Sequence, residues 1–180
     1  MTPAERLVAL SRLALTMSED TAAIEEAARV IVEAVKAGGT VYVCGNGGSF
    51  AQAQHFAAEL TGRYKRERRP VAAVALGSNG AHVTAVSNDY GYTYAFGREA
   101  EALVRKGDVL VCLTTSGQSE SVRHVARMNR CTGVVVTGDV SNPWKWATHV
   151  RIPSTDTALI QEGCLSVLHS FAEAIDEAIE

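Results

Sequence analysis

The chain has 180 residues, a formal net charge of −3 and a pI near 6.0, enough length for one domain with a sizeable core. That charge balance gives no reason to expect a nucleic acid or an anionic membrane as partner. No apolar run reaches bilayer length, and the opening MTPAERLVAL lacks the basic and apolar regions of a secretion signal, so a cytoplasmic protein is expected. Cys44, Cys112, Cys131 and Cys164 are scattered without a CxxC pair, the pattern of reduced, mostly buried thiols.

Thr2, Pro3 and Glu5 predict a helix start, followed by Leu7, Leu10, Leu13, Ala14 and Met17 at helical spacing. Ser18 is the expected cap of a second helix, with Ile24, Ala27, Ala28, Ile31 and Val35 as its apolar face and Gly38 and Gly39 as its stop. Two amphipathic helices ahead of the first strand must cover something, either their own sheet or a second subunit.

Val41 to Cys44 is a short buried strand running into Gly45, Asn46, Gly47, Gly48 and Ser49, after which a helical pattern resumes. Glycines let the backbone approach a ligand, and the unpaired first amides of a helix favour an anion. His55 and Glu59 follow at i, i+4 on one helix face, where they could share a metal ion or a proton. Arg63 to Pro70 (RYKRERRP) is expected to be a solvated basic loop, with Arg63 near enough to reach an anionic substrate.

Val71 to Leu76 predicts the second strand, and Asn88, Asp89 and Gly91 a turn between two helical pieces. Glu99 to Lys106 closes a helix at Gly107, and Asp108 to Leu113 is a third strand. It enters a second hydroxyl-rich corner, TTSGQSES, with Thr114, Thr115, Ser116 and Ser119. Thr132 to Thr137 is a fourth strand, SNPWKW a loop or short helix, His149 to Ile152 a fifth strand, and Ala158 to Ile179 a long helix. His124 is expected to face solvent and His149 to be a satisfied core or edge residue, while His82 lies near the ligand end.

Strands alternating with helices predict a parallel sheet covered on both faces, with ligands beyond the carboxyl ends of the strands. Hydroxyls and amides without a P-loop lysine suit a phosphomonoester on a small molecule. On the long helix Gln161 and His169 stand at i, i+8, about 80° apart around the axis. With His55 and Glu59 they make a credible mixed ligand set for a divalent metal such as zinc, or, without metal, an acid and a base.

Taken in their order and spacing, GNGGS, QHFAAELTGR, SND, TTSGQS and IQEGCLSVLH resemble the phosphoheptose isomerases of the sugar isomerase (SIS) domain class, from about Val41 to the C-terminus. The resemblance implies a flavodoxin-like three-layer α/β/α sandwich with a five-stranded parallel sheet preceded by N-terminal helices. On this reading residues 1–180 form a single SIS domain, with 1–38 as helices at an oligomer interface and 39–180 as the α/β core. It implies an aldose–ketose isomerase acting on sedoheptulose 7-phosphate, in a homotetramer, often with zinc. Asn46, Gly47, Gly48, Ser49, Asn88 and Asp89 then look like substrate contacts, and Thr114, Thr115, Ser116 and Ser119 like the phosphate cradle. Glu59 and His169 look like base and acid, and His55, Glu59, Gln161 and His169 like the metal set, with Glu59 and Gln161 also near substrate. The alternatives are an isomerase of another phosphosugar, which the Gln161 and His169 pattern disfavours, and the related SIS proteins that act as regulators or as partners of a replication initiator, which lack the acid present here at Glu59.

Overall fold

The computed structural model describes residues 1–128, 130–142 and 144–180. The first helix, α1 (Pro3–Ser18), starts as its sequence predicts: Thr2 and Glu5 exchange hydrogen bonds with each other's backbone amides, with Pro3 at the first helical position. Helix α2 (Ala22–Lys36) begins later than expected, because Ser18 bonds back to the Leu15 carbonyl and closes α1, while Asp20 accepts from the Ala22 amide. Gly38, at φ +84°, ends it.

Five parallel strands follow: β1 (Val41–Gly45), β2 (Ala73–Ala75), β3 (Val109–Leu113), β4 (Thr132–Thr137) and β5 (Ala147–Arg151), in the order β2-β1-β3-β4-β5. They alternate with α3 (Gly48–Thr61), α4 (Gly80–Asp89), a 3₁₀ turn (Tyr92–Tyr94), α5 (Ala95–Leu103), α6 (Glu120–Arg127) and α7 (Thr157–Ala178). Strand β2 is shorter than the apolar run Val71 to Leu76 because it lies at the sheet edge and pairs only with β1. Asn88 and Asp89 belong to the last turn of α4 rather than to the expected turn, which falls on Gly91 at φ +95°.

The two-residue period of the strands divides the core. Val41, Val43, Val109, Val111, Val134 and Val136 face α2, α3 and α7, where Ile31, Phe56, Leu60, Leu168, Phe171 and Ile175 are buried against them. Tyr42, Cys44, Leu110, Cys112 and Val135 face α5 and α6 with Phe96, Ala100, Val122 and Val125. The result is a three-layer α/β/α sandwich.

The two N-terminal helices have different fates. Helix α2 buries Ala27, Ala28, Ile31 and Val35 in this chain's own core, whereas α1 buries Leu13 and leaves Leu7 and Leu15 66% and 64% exposed. Arg6 fastens α1 to α7 by ion pairs with Glu162 (2.9 Å) and Asp156 (3.4 Å). Cys44, Cys112 and Cys164 are buried free thiols and Cys131 is half-buried; burial pushes the Cys164 thiol up to about 12. His124 is half-buried rather than solvent-facing, packed edge-on to Tyr94 and against Gly97, where a Cβ would meet its ring at 2.3 Å. Among the described residues no helix is long and apolar enough to cross a membrane.

Candidate functional site

The glycine corner follows β1 at its carboxyl end, as the fold requires of a ligand site. A Cβ on Gly45 would lie 2.8 Å from the Ser49 Cβ and 3.0 Å from the Leu113 carbonyl, so only glycine lets the chain turn against β3. Gly47 takes φ +56°, and Gly48 opens α3 with the side-chain amide of Gln161 of α7 lying where a Cβ would stand. Ser49 is buried, its amide bonded to the Asn46 carbonyl.

The second corner follows β3. Thr114 is buried and its Oγ1 accepts from the Gly117 amide at 3.2 Å; Ser116 Oγ accepts from the Gln118 amide at 3.2 Å. Ser119 precedes α6 without a side-chain capping bond among the described residues. The Thr115 carbonyl accepts from Gly138, and Thr115 and Ser116 border a hollow of about 200 Å³ with Asp139, Ser154 and Thr157.

Asn46 joins the two corners: its Nδ2 donates to Ser121 Oγ (3.1 Å), and its Oδ1 accepts from the Tyr92 hydroxyl (2.5 Å). Ser121 and Tyr92 were not legible as site residues. Ser121 lies inside a hydroxyl-rich run, but no spacing singles out Tyr92. Asn88 and Asp89 are exposed at the end of α4 and bond to each other, Nδ2 to Oδ1 at 2.9 Å. Arg63 is exposed, and His82 bonds the Ala95 carbonyl at 3.1 Å, a link between α4 and α5. His149 bonds Thr137 Oγ1 at 2.7 Å; burial, with a smaller effect of Arg151, holds its pKa below the ordinary 6.5.

Between α3 and α7 the chain brings His55, Glu59 and His169 together. Glu59 Oε1 is 3.0 Å from His55 Nε2 and 3.5 Å from His169 Nε2, and the two Nε2 atoms are 3.4 Å apart. Glu59 Oε2 is buried and has no hydrogen-bond partner among the described residues, an unusual state for a carboxylate oxygen. Tyr64 stacks on the His169 ring at 5.4 Å. Two imidazole nitrogens and a carboxylate oxygen within 4.8 Å of one another could hold a divalent cation. Gln161, placed with these three by its helical angle, has its side-chain amide on Gly48 instead, and its main-chain carbonyl accepts from Gln52 Nε2 at 2.5 Å. The angle ignored eight residues of axial rise, about 12 Å.

Comparison with known proteins adds an independent line. The family description "SIS domain" matches residues 8–140. A phosphoheptose isomerase of Campylobacter concisus is 43% identical over 161 residues, covering 86% of this chain and 85% of that one. One from Rhodospirillum rubrum is 44% identical over 162 residues, covering 87% and 86%. The structure of a phosphoheptose isomerase from Neisseria gonorrhoeae superposes with a TM-score of 0.87 at 33% identity, covering 98% of this chain and all of that one.

Proposed function

This chain belongs to the phosphoheptose isomerase family, and from that premise we propose that it converts sedoheptulose 7-phosphate to D-glycero-D-manno-heptose 7-phosphate. The observation that carries the chemistry is the Glu59 carboxylate, with one oxygen shared by two imidazoles and the other buried without a partner. That second oxygen is committed to no hydrogen bond, so it is free to meet a substrate proton.

Thr114, Thr115, Ser116 and Ser119, with the amides at the start of α6, hold the phosphate. Asn46 to Ser49, Asn88, Asp89 and Gln161 contact the sugar. This grip fixes where C1 and C2 lie relative to the base, an advantage that positioning alone converts into rate. Glu59 removes a proton from C1, next to the C2 carbonyl, and the electron pair moves into a C1–C2 enediolate. The same proton, or one exchanged from solvent, is returned to C2, while His169 carries a proton from the C1 oxygen to the C2 oxygen. One C–H bond breaks and one forms, with no change in overall oxidation state.

The donor set fits zinc. Ligands about 2.0–2.1 Å from a tetrahedral zinc are separated by about 3.3 Å, close to the 3.0, 3.4 and 3.5 Å separations of the three side chains. His55, Glu59 and His169 would hold the ion, and when bound it would supply positive charge beside the developing enediolate oxygens.

We also take the enzyme to be a cytoplasmic homotetramer. The exposed Leu7, Val8 and Leu15 and the groove of about 480 Å³ between α1 and α7, which ends at His169, support self-association through α1. The buried free thiols support a reducing compartment. Running the reaction in D₂O tests the chemistry: the aldose should carry solvent deuterium at C2. A product free of deuterium that Glu59→Gln forms as fast as the wild type would mean that hydrogen passes directly between the carbons and that Glu59 is not a base.

A further inference from the structure

The basic run RYKRERRP is the exposed loop its composition predicts at Arg63, Lys65, Arg66, Glu67, Arg69 and Pro70, but not at Arg68, which is buried. It wraps from the end of α3 around the last turns of α7, and its Arg68 side chain is fully buried against Asp176, 0% and 2% exposed, Nε to Oδ1 2.7 Å. Asp176 Oδ2 also accepts from the amides of Lys65 (2.8 Å) and Arg66 (2.9 Å). Three further guanidinium bonds end on carbonyls: Nη1 on Leu60 and Arg69, both 3.1 Å, and Nη2 on Glu59 at 2.9 Å. Arg68 thus holds the main chain of the residue assigned as base. Its partner Asp176 stands seven residues after His169, two turns further along the same face of α7.

Stability alone does not call for this arrangement. A buried ion pair can often be exchanged for apolar groups at no loss. An apolar pair would fill the space, but it could not hold the Glu59 and Leu60 carbonyls in a fixed direction. The planar fork of arginine does so, and a lysine ammonium does not reproduce it.

We propose that Arg68 and Asp176 are positioning residues, which fix the separation and rotation of α3 against α7 so that Glu59 meets His55 and His169. This rests on the isomerase reading above for its catalytic consequence, and on the geometry alone for its effect on cation capture. The phosphate cradle stands on another element, the corner after β3, so the pair acts on turnover and metal affinity more than on the phosphate grip that dominates KM.

The test compares the full-length wild type with Arg68→Lys and with the double variant Arg68→Met/Asp176→Leu. Each is measured by thermal unfolding, by cobalt(II) titration of metal-stripped protein followed in the visible absorption, and by kcat and KM for sedoheptulose 7-phosphate. The expected result is folded variants with KM within about threefold, kcat lower by about 10²-fold and cobalt affinity lower by about 10- to 100-fold. A folded double variant with wild-type kcat and cobalt affinity would overturn the proposal and leave the pair a packing feature. Should the double variant fail to fold, Arg68→Lys decides by the same two readouts. A wild type inactive on sedoheptulose 7-phosphate would sink the isomerase reading, and the cobalt titration would still judge the pair.

Discussion

Replacing Gly48 by Ala separates the fold from the site more sharply than any other single change. The added Cβ would stand 2.5 Å from Gln161 Nε2 and 2.8 Å from its Oε1. An ordinary contact needs about 3.5–4.0 Å, so the Gln161 amide must retreat by about 1 Å or more. It can do so cheaply, since the obstacle is the end of a flexible side chain. Gly48 is the first residue of α3 and lies outside the left-handed region, so alanine suits its backbone. Unfolding should therefore stay level or rise by up to about 1 kcal/mol. Misplacing a substrate-orienting group by about 1 Å costs on the order of 10²-fold in rate, and kcat/KM for sedoheptulose 7-phosphate should fall by that factor. Steady-state kinetics and a thermal melt on the same preparation check both halves. A variant with undiminished kcat/KM would remove Gln161 from the site, and a clearly lower melting temperature would mean that the corner cannot relax as argued.

Three further outcomes are expected. Tyr92→Phe deletes the hydroxyl that donates to Asn46, so KM should rise by roughly 2- to 10-fold, the worth of one neutral hydrogen bond, with kcat little changed in steady-state assays. Burial pushes the Asp176 carboxyl up, but the Arg66 and Lys65 amides and the Arg68 guanidinium outweigh it and hold its pKa below the ordinary 3.8. Its stabilisation is therefore complete above that value and is lost as pH falls through the lower folded-state pKa. Asp176→Asn should be less stable than wild type by about 3 kcal/mol or more at pH 7, and the gap in melting temperature should close below pH 3.8; a gap independent of pH would refute this. Gly133→Ala would drive a Cβ to 1.8 Å from the Trp146 ring, far from the site. It should lower stability by about 1–3 kcal/mol and leave kcat unchanged, as melts and kinetics would show.

Most of the architecture was legible because its signals are local. The Thr2 and Glu5 cap, the strand-length runs at Val41 and Asp108 and the apolar period of α7 each depend on neighbours within one element. Both ligand corners and the i, i+4 spacing of His55 and Glu59 were equally visible. Where reading from sequence fell short, the deciding partner was distant in the chain. Arg68 looked like one charge in a solvated run because Asp176, which buries it, is 108 residues away. Tyr92 reaches Asn46 across 46 residues, and no periodicity encodes that contact. His124 sits on a polar stretch of α6, but α5 and Tyr94 close over it. Gln161 shows the opposite fault, a true angular relation with His169 that carried no information about height along the helix.

The central claim, that Glu59 moves the proton, is tested most directly by comparing turnover of sedoheptulose 7-phosphate in wild type and Glu59→Gln, each with and without a chelator. Glutamine keeps the shape and cannot accept the proton, so kcat should fall by about 10²–10⁴-fold or more, while calorimetry still detects substrate binding. Chelation should silence the wild type, and added zinc should restore it. Normal turnover by the variant would contradict the account.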